Sequence, residues 1–516
     1  GSSSNLIKPL KDRIIISDTS LPINPSPDAS SEAKVPSLDK VGLVLTKTTV
    51  DNMAKIARGV DLNDPLLLVG PTAAGKSAPI KLLAALTNNN HISISMNPNL
   101  SQYELIGGYK PKDSRTKEEA TLEWQKGTIL KAMENGWWLT LEELNLAPTE
   151  VLELLNFYLI HGYLIVTQNG QYRIVKPHAN FRLFATMNPE GDAARNRLSE
   201  ALMARFRVKY FDTLPKEELA EIISVKYSIA QDMALKLVMT HQAIEEQAKA
   251  RLIGKKQKES YEFNLRNLLR LCNRVKSDLE RNQSQDVLKS IAKHFNEVYL
   301  DVIRDKEERQ PLFIVADNVL GFNVNGITYE SLQAKPNKLS DVDLASLRGK
   351  GGEYVPKEDS ILAPVPTTLS YMDKVATSLK NDEHVLMVGP TASAKTSIGR
   401  YLAHLTDNNL YYINLNNDSA IEELIGGHKP TERKGEYKWE DGILIKAMEE
   451  GSWLFIDEVN MSELPEYFNT VLDDGYLVLP HRTVYAKPGF KIICAMNPPE
   501  YEGRNVLSPA LRSRLK

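Results

Sequence analysis

The stretch "LLLVGPTAAGKSAPIKLL", residues 66–83, reads as a strand, a glycine-rich turn and a helix, in that order. Its unbroken apolar start predicts a strand buried on both faces, as in a parallel sheet covered by helices. Gly70 and Gly75 enclose Pro71, Thr72, Ala73 and Ala74, and the pattern G-x-x-x-x-G-K-[ST] closes on Lys76 and Ser77. Such glycines let the backbone curl until its N–H groups face phosphate oxygens. Lys76 is then expected to reach the β- and γ-phosphates and Ser77 to ligate magnesium, with the positive end of the next helix facing the same charge. A glycine-rich turn is often only a turn, so the residues downstream must decide.

Much of the chain occurs twice. "YELIGGYKP" at 103–111 returns as "EELIGGHKP" at 422–430, and "WQKGTILKAMENGWWLTLEELN" at 124–145 returns as "WEDGILIKAMEEGSWLFIDEVN" at 439–460. "FATMNP" at 184–189 returns as "ICAMNP" at 493–498, and the spacing shrinks because the second copy has shorter loops. Before each phosphate loop lies an amphipathic helical pattern, "TTVDNMAKIARGV" and "TTLSYMDKVATSL". "RIIISD" at 13–18 also resembles "LFIVAD" at 312–317, which would start the second copy near residue 311. Residues 215–310 instead carry helical apolar spacing with almost no strand signal and are expected to form a helical subdomain. Residues 19–40 and 334–362, rich in Pro, Ser, Gly and charge, read as long loops or linkers.

The repeated pieces carry the chemistry. "WWLTLEELN" is an apolar strand ending in Glu142 and Glu143, and "SWLFIDEVN" ends in Asp457 and Glu458. A lone acidic pair is usually the solvated end of a strand. Found twice, each time at a similar distance beyond a phosphate-loop lysine, it fits a magnesium-associated carboxylate (Glu142, Asp457) followed by one that polarises water (Glu143, Glu458). Glu142 replaces the more usual aspartate, and its extra methylene is expected to slow the first site without killing it. A helix and a hairpin follow, clearest where "YLIVTQNGQYRIV" alternates around Asn169–Gly170. The next strand ends in Asn188 or Asn497, placed to hold the attacking water or the γ-phosphate, although an asparagine before proline is more often a turn residue. "LSEALMARF" and "LSPALRSRL" then end in Arg205 and Arg514, which could stabilise transition-state charge in a neighbour's site or serve only as surface ion-pair residues.

Composition excludes little else. With 63 basic and 66 acidic residues the net charge is −3, so there is no global pull toward nucleic acid or anionic membrane. No apolar run approaches the ~20 residues of a membrane span. Cys272 and Cys494 fit neither a disulfide framework nor zinc spacing and read as buried thiols in a reducing, intracellular setting. The opening "GSSS" and the stop after "LRSRLK" are read as the ends of a piece of a longer chain.

The order of strand, loop, helix, acidic pair, asparagine strand, arginine and helical lid resembles the AAA+ ATPases. The "LIGG…W..G.L.KA" segment is similar to their helix-2-insert branch, which includes the MoxR-like and dynein-related families. Within it, "LEELNLAPTEVLELLN", "VKPHANFRLFATMNP", "LSEALMARF" and "FNLRNLLR" look most like the midasin family of ribosome-assembly ATPases, whose modules are fused in one chain. The resemblance implies an α/β class with two tandem P-loop modules, each a parallel sheet flanked by helices, the first followed by an α-helical lid and the second without one. The expected division is 1–40 extension and linker, 41–213 first core, 214–310 lid, 311–362 linker and start of the second module, and 363–516 second core. It further implies ATP and Mg2+ as ligands, Arg266 as a nucleotide-sensing lid arginine, and Arg514 completing the site of Lys76 while Arg205 serves another module. Expected partners are further AAA+ modules of a ring and a protein-complex substrate such as a pre-ribosomal particle, with a nuclear or nucleolar location and no membrane.

The second loop, "VGPTASAKTSIG" at 388–399, has Gly389, Pro390, Thr391, Ala392, Ser393, Lys395 and Thr396, but Ala394 stands where glycine is expected. That position generally needs a left-handed backbone, at a cost of about 1–2 kcal/mol for an L-residue. The expectation is a second site that binds nucleotide statically or turns it over slowly. Two rival readings are a nucleotide-binding scaffold with little hydrolysis, and a MoxR-like or McrB-like NTPase, the latter using GTP.

Overall fold

In the computed structural model the described residues are 6–29, 32–41, 43–71, 75–98, 100–111, 122–189, 198–250, 252–254, 261–283, 286–334, 344–357, 366–390, 394–416, 418, 420–461, 468–479 and 482–498. The chain divides into two compact units, one of residues 1–218, 428–440 and 465–485, the other of 219–427, 441–464 and 486–516.

The first unit is built on five parallel strands in the order Arg207–Tyr210, Leu66–Val69, Arg182–Met187, Trp138–Glu142, His91–Ser95. Both faces are covered, which explains why Leu66–Val69 has no polar face. Leu67 and Val69 join one core cluster with Leu139, Leu141 and Leu183, while Leu66 and Leu68 join another with Trp138 and Phe184. The helix Lys47–Asp61, started by a Thr46–Thr49 capping box, and the helix Ser77–Leu86 supply the second cluster. Three short antiparallel strands, Ile7–Pro9, Arg13–Ile16 and Thr19–Pro22, bury Ile14, Ile16 and Leu21 in that cluster. The expected loop from residue 19 therefore begins with a strand, held by a tight turn at Ser17 with φ 57°. The predicted hairpin pairs Leu164–Gln168 with Gln171–Val175, with Asn169 and Gly170 both at positive φ, as a two-residue turn of this twist requires.

The second unit holds a four-stranded parallel sheet in the order Val385–Val388, Lys491–Met496, Trp453–Asp457, Leu410–Asn414, packed on the helices Pro366–Lys380 and Lys395–Thr406. Val385, Ile493 and Trp453 of its core take the places of Leu66, Phe184 and Trp138 in the first copy. The same unit contains the predicted helical subdomain. Gln231–Lys249, Leu265–Arg281 and Val287–Phe295 share one core with Cys272, which is fully buried, as is Cys494 in the sheet. Burial pushes both thiols up, Cys494 to about 12, so neither is a thiolate near neutrality.

The likeness of "LFIVAD" to "RIIISD" is not structural. Residues 312–317 lie in the helix Lys306–Leu320, whose Leu312, Phe313 and Ala316 enter the helical core, so the expected boundary at 310 falls inside a helix. Asp305 caps its start and Gly321, at φ 70°, ends it. Among the described residues no helix is long and apolar enough to cross a membrane.

Candidate functional site

Each phosphate loop leaves the sheet where its strand lies beside the asparagine strand. The Gly70 N–H continues the ladder to Met187 O, and the Gly389 N–H to Met496 O, both at 3.2 Å. Asn188 and Asn497, one residue further on, thus stand next to the loop in each copy. Gly70 is required sterically, because a Cβ there would lie 2.3 Å from Phe211 O. Gly75 has φ 65°, yet a Cβ there would meet nothing within 4 Å. Ala394 adopts the same conformation, φ 62° and ψ 20°. An L-residue held in this conformation carries backbone strain of about 1–2 kcal/mol. Ala394→Gly is expected to remove that strain and tighten nucleotide binding at the second site by up to about tenfold; unchanged affinity in a titration of the protein carrying Lys76→Ala would show that the strain is released elsewhere.

The lysines fold over the base of their loops. Lys76 Nζ donates to the carbonyls of Gly70 and Pro71, and Lys395 Nζ to those of Gly389 and Pro390, with Asn497 Oδ1 at 3.4 Å. The next residue opens or extends a helix in each copy, and its hydroxyl meets the strand-end carboxylate: Ser77 Oγ to Glu142 Oε1 at 3.1 Å, Thr396 Oγ1 to Asp457 Oδ2 at 3.3 Å. A hydroxyl and a carboxylate brought together suit Mg2+, a hard cation that takes oxygen ligands and keeps several waters. Among the described residues no group of three or more His, Cys, Asp or Glu forms a metal cage. Thr72, Ala73, Ala74, Thr391, Ala392, Ser393 and Arg514 lie outside the described residues.

Glu143 (φ 55°, ψ 54°) and Glu458 (φ 50°) both sit in the left-handed region. Holding a non-glycine residue there costs about 1–3 kcal/mol, and in both copies the strain falls on the carboxylate expected to polarise water. The Glu143 N–H is 3.4 Å from Thr186 Oγ1 of the asparagine strand. Two residues on, Asn145 Nδ2 reaches Asn188 O at 3.4 Å and Asn460 Nδ2 reaches Asn497 O at 3.0 Å. Sequence reasoning passed over these asparagines, although their repetition in "EELN" and "DEVN" was the available signal. Arg205 ends the helix Glu200–Arg205, where its Nε bonds Asn156 Oδ1 at 2.8 Å. Arg266 lies in the first turn of Leu265–Arg281, behind the Asn264 cap.

Residues of the second copy also reach the first within the first unit. The helix Phe468–Asp474 and the strand Tyr476–Val478 bring Asp474 to Lys81 at 2.6 Å and the Tyr476 hydroxyl to the Ser93 N–H at 3.0 Å. Enclosure by protein and then the charge of Asp474 push the Glu142 carboxyl up, with Lys81 opposing. In the second copy the Tyr412 hydroxyl donates to Asp457 Oδ2 at 2.8 Å and is itself pushed up to about 12, first by loss of water and then by that bond.

The AAA domain model of the dynein-related subfamily matches residues 65–206 and 384–515, and the Midasin AAA lid domain model matches 218–323. The chain is 29% identical to Midasin of Giardia intestinalis over 92% of its own length and 11% of the relative's. It is 25% identical to Midasin of Dictyostelium discoideum over 91% of its length and 9% of the relative's. An uncharacterized protein of Staphylococcus epidermidis is 36% identical over 26% of this chain and 53% of that one. The chain thus spans about a tenth of the Midasin sequences it matches.

Proposed function

Because the chain belongs to the dynein-related subfamily of AAA domains, we propose that its tandem modules bind ATP with Mg2+ and that the first hydrolyses it, as part of a larger ring-forming machine. The observation that carries this reading is the recurrence of one constellation in both copies: loop lysine, hydroxyl paired with carboxylate, and a glutamate in a left-handed backbone. Lys76 and Lys395 bind the phosphate charge, and Ser77 with Glu142, or Thr396 with Asp457, would hold Mg2+, which screens the β- and γ-phosphates when bound. Glu143 and Glu458 accept the proton of the attacking water. Asn188 and Asn497 orient that water or the γ-phosphate. Arg266 senses nucleotide from the lid, Arg514 acts on the site of Lys76, and Arg205 acts on another module.

The second site is read as static or slow, since Ala394 weakens its loop by only about tenfold. Nucleotide state would alter the angle between the first core and its lid, and the larger assembly would use that motion to remodel a protein complex. Similarity to the Midasin sequences points to a pre-ribosomal particle as the target and to the nucleus as the location. A scaffold that binds ATP without turnover is favoured by Ala394 and by Glu142 in place of aspartate, and opposed by Glu143 and Glu458.

The test is the identity and number of nucleotides retained per chain, read by ion-exchange chromatography of the denatured protein beside steady-state ATP hydrolysis. Two adenine nucleotides with slow turnover are expected. A single nucleotide lost on Lys76→Ala but not on Lys395→Ala would sink the static second site, and retained guanine nucleotide would sink the choice of ATP.

A further inference from the structure

At the edge of the sheet Tyr412 of the second copy stands where the first copy has Ser93. The strand Leu410–Asn414 runs parallel to Trp453–Asp457, with Tyr412 opposite Phe455 and Asn414 opposite Asp457. In the first copy the same register places Ser93 opposite Thr140 and Ser95 opposite Glu142. Side chains two residues apart share a face and lie roughly 7 Å apart along a strand, about the reach of a tyrosine. The Tyr412 ring stacks on Phe455, with centroids 5.8 Å apart and planes at 21°, and this directs its hydroxyl along the strand to Asp457. Ser93 has no such reach, and its buried hydroxyl has no partner among the described residues.

The oxygens of Asp457 are correspondingly well occupied. Oδ1 accepts from the Glu458 N–H at 2.8 Å, while Oδ2 accepts from Tyr412 at 2.8 Å and from Thr396 at 3.3 Å. Three donors on two oxygens fix the plane of the carboxylate and leave about one of its four lone-pair sites for a metal-bound water. The Thr396 contact is the longest of the three, so Tyr412 rather than Thr396 sets the orientation.

We propose that Tyr412 is a positioning residue of the second nucleotide site, its hydroxyl holding Asp457 in the orientation that serves Mg2+ beside Thr396. The inference rests on the reading of residues 389–396 as a nucleotide site. Losing a partner that orients a metal-associated carboxylate typically costs 10–100-fold in metal affinity. Tyr412→Phe keeps the ring on Phe455 and removes only the hydroxyl.

The experiment uses the protein carrying Lys76→Ala, so that the first loop is silent, and titrates Mg2+ against binding of a fluorescent ATP analogue. Tyr412→Phe is expected to raise the Mg2+ midpoint about tenfold and to leave the affinity in EDTA unchanged. Tyr411→Phe, which removes the neighbouring hydroxyl from Glu450, should leave the midpoint in place. An unmoved midpoint for Tyr412→Phe, or an equal loss with and without Mg2+, would overturn the inference while sparing the site. Absence of any binding in the Lys76→Ala protein would overturn the nucleotide reading of the second loop, and the inference with it.

Discussion

Replacing Glu143 with glutamine is expected to lower ATP hydrolysis by about 10²–10⁴-fold while leaving bound nucleotide in place. Glutamine has the shape of glutamate and keeps hydrogen-bonding capacity, but it cannot take a proton from water. It inherits the same left-handed backbone at φ 55°, so strain in the folded state changes little. Lys76, Ser77 and Glu142, expected to hold the phosphates and Mg2+, are untouched by the substitution. Phosphate release measured in a single turnover, beside nucleotide retained per chain, separates the two effects. Any rate surviving in the Glu143→Gln protein belongs to the second site, and Glu458→Gln added to it should bring release to background. Undiminished release after Glu143→Gln would refute the catalytic role. A wild-type protein holding two nucleotides with no release at all would favour the scaffold.

The strand before each loop and the helix after it were legible because both are encoded in consecutive residues. The acidic pairs were legible through repetition, since each lies at the end of an equally apolar strand. What escaped was decided outside the stretches that were read. "LFIVAD" reads equally well as a strand or as one turn and a half of helix. The deciding signals lay outside it, in the Asp305 cap and the terminating Gly321. Asp474 and Tyr476 reach the edge of the first sheet from nearly four hundred residues away in sequence, a distance at which periodicity carries no information. Tyr412 carries no sequence signal of its own, and its role follows only from a register that places it two residues behind the partner of Asp457. The left-handed glutamates were invisible for another reason. Glutamate has no preference for that conformation, so only the surrounding fold imposes it.

Replacing Arg274 with alanine is expected to destabilise the second unit by about 3–5 kcal/mol, the range for removing one partner of a buried ionic network. Arg274 is 0% exposed and lies on the helix Leu265–Arg281. Its guanidinium engages Glu383 through two bonds, Nε to Oε1 at 3.0 Å and Nη2 to Oε2 at 2.6 Å, with Glu297 Oε2 at 2.7 Å and Ser378 Oγ at 3.0 Å. Burial works against its charge, yet the Glu383 and Glu297 carboxylates outweigh it and raise its affinity for the proton. Truncation would leave two carboxylates, 8% and 9% exposed, with their main counter-charge gone. Lysine restores the charge but cannot make the paired bonds to Glu383, so Arg274→Lys should recover only part of the loss. If the cost is that of stranded carboxylates, Arg274→Met combined with Glu297→Gln and Glu383→Gln should be less harmful than Arg274→Ala alone. Urea denaturation followed by a probe in the second unit checks both statements. An Arg274→Ala midpoint equal to wild type would mean that water or another cation satisfies the pair. The network joins the helical body after the first core to the segment 378–383 before the second phosphate strand. Its loss should therefore also reduce nucleotide affinity at Lys395, and a second loop that kept full affinity in a destabilised Arg274→Ala protein would show that this brace supports stability alone.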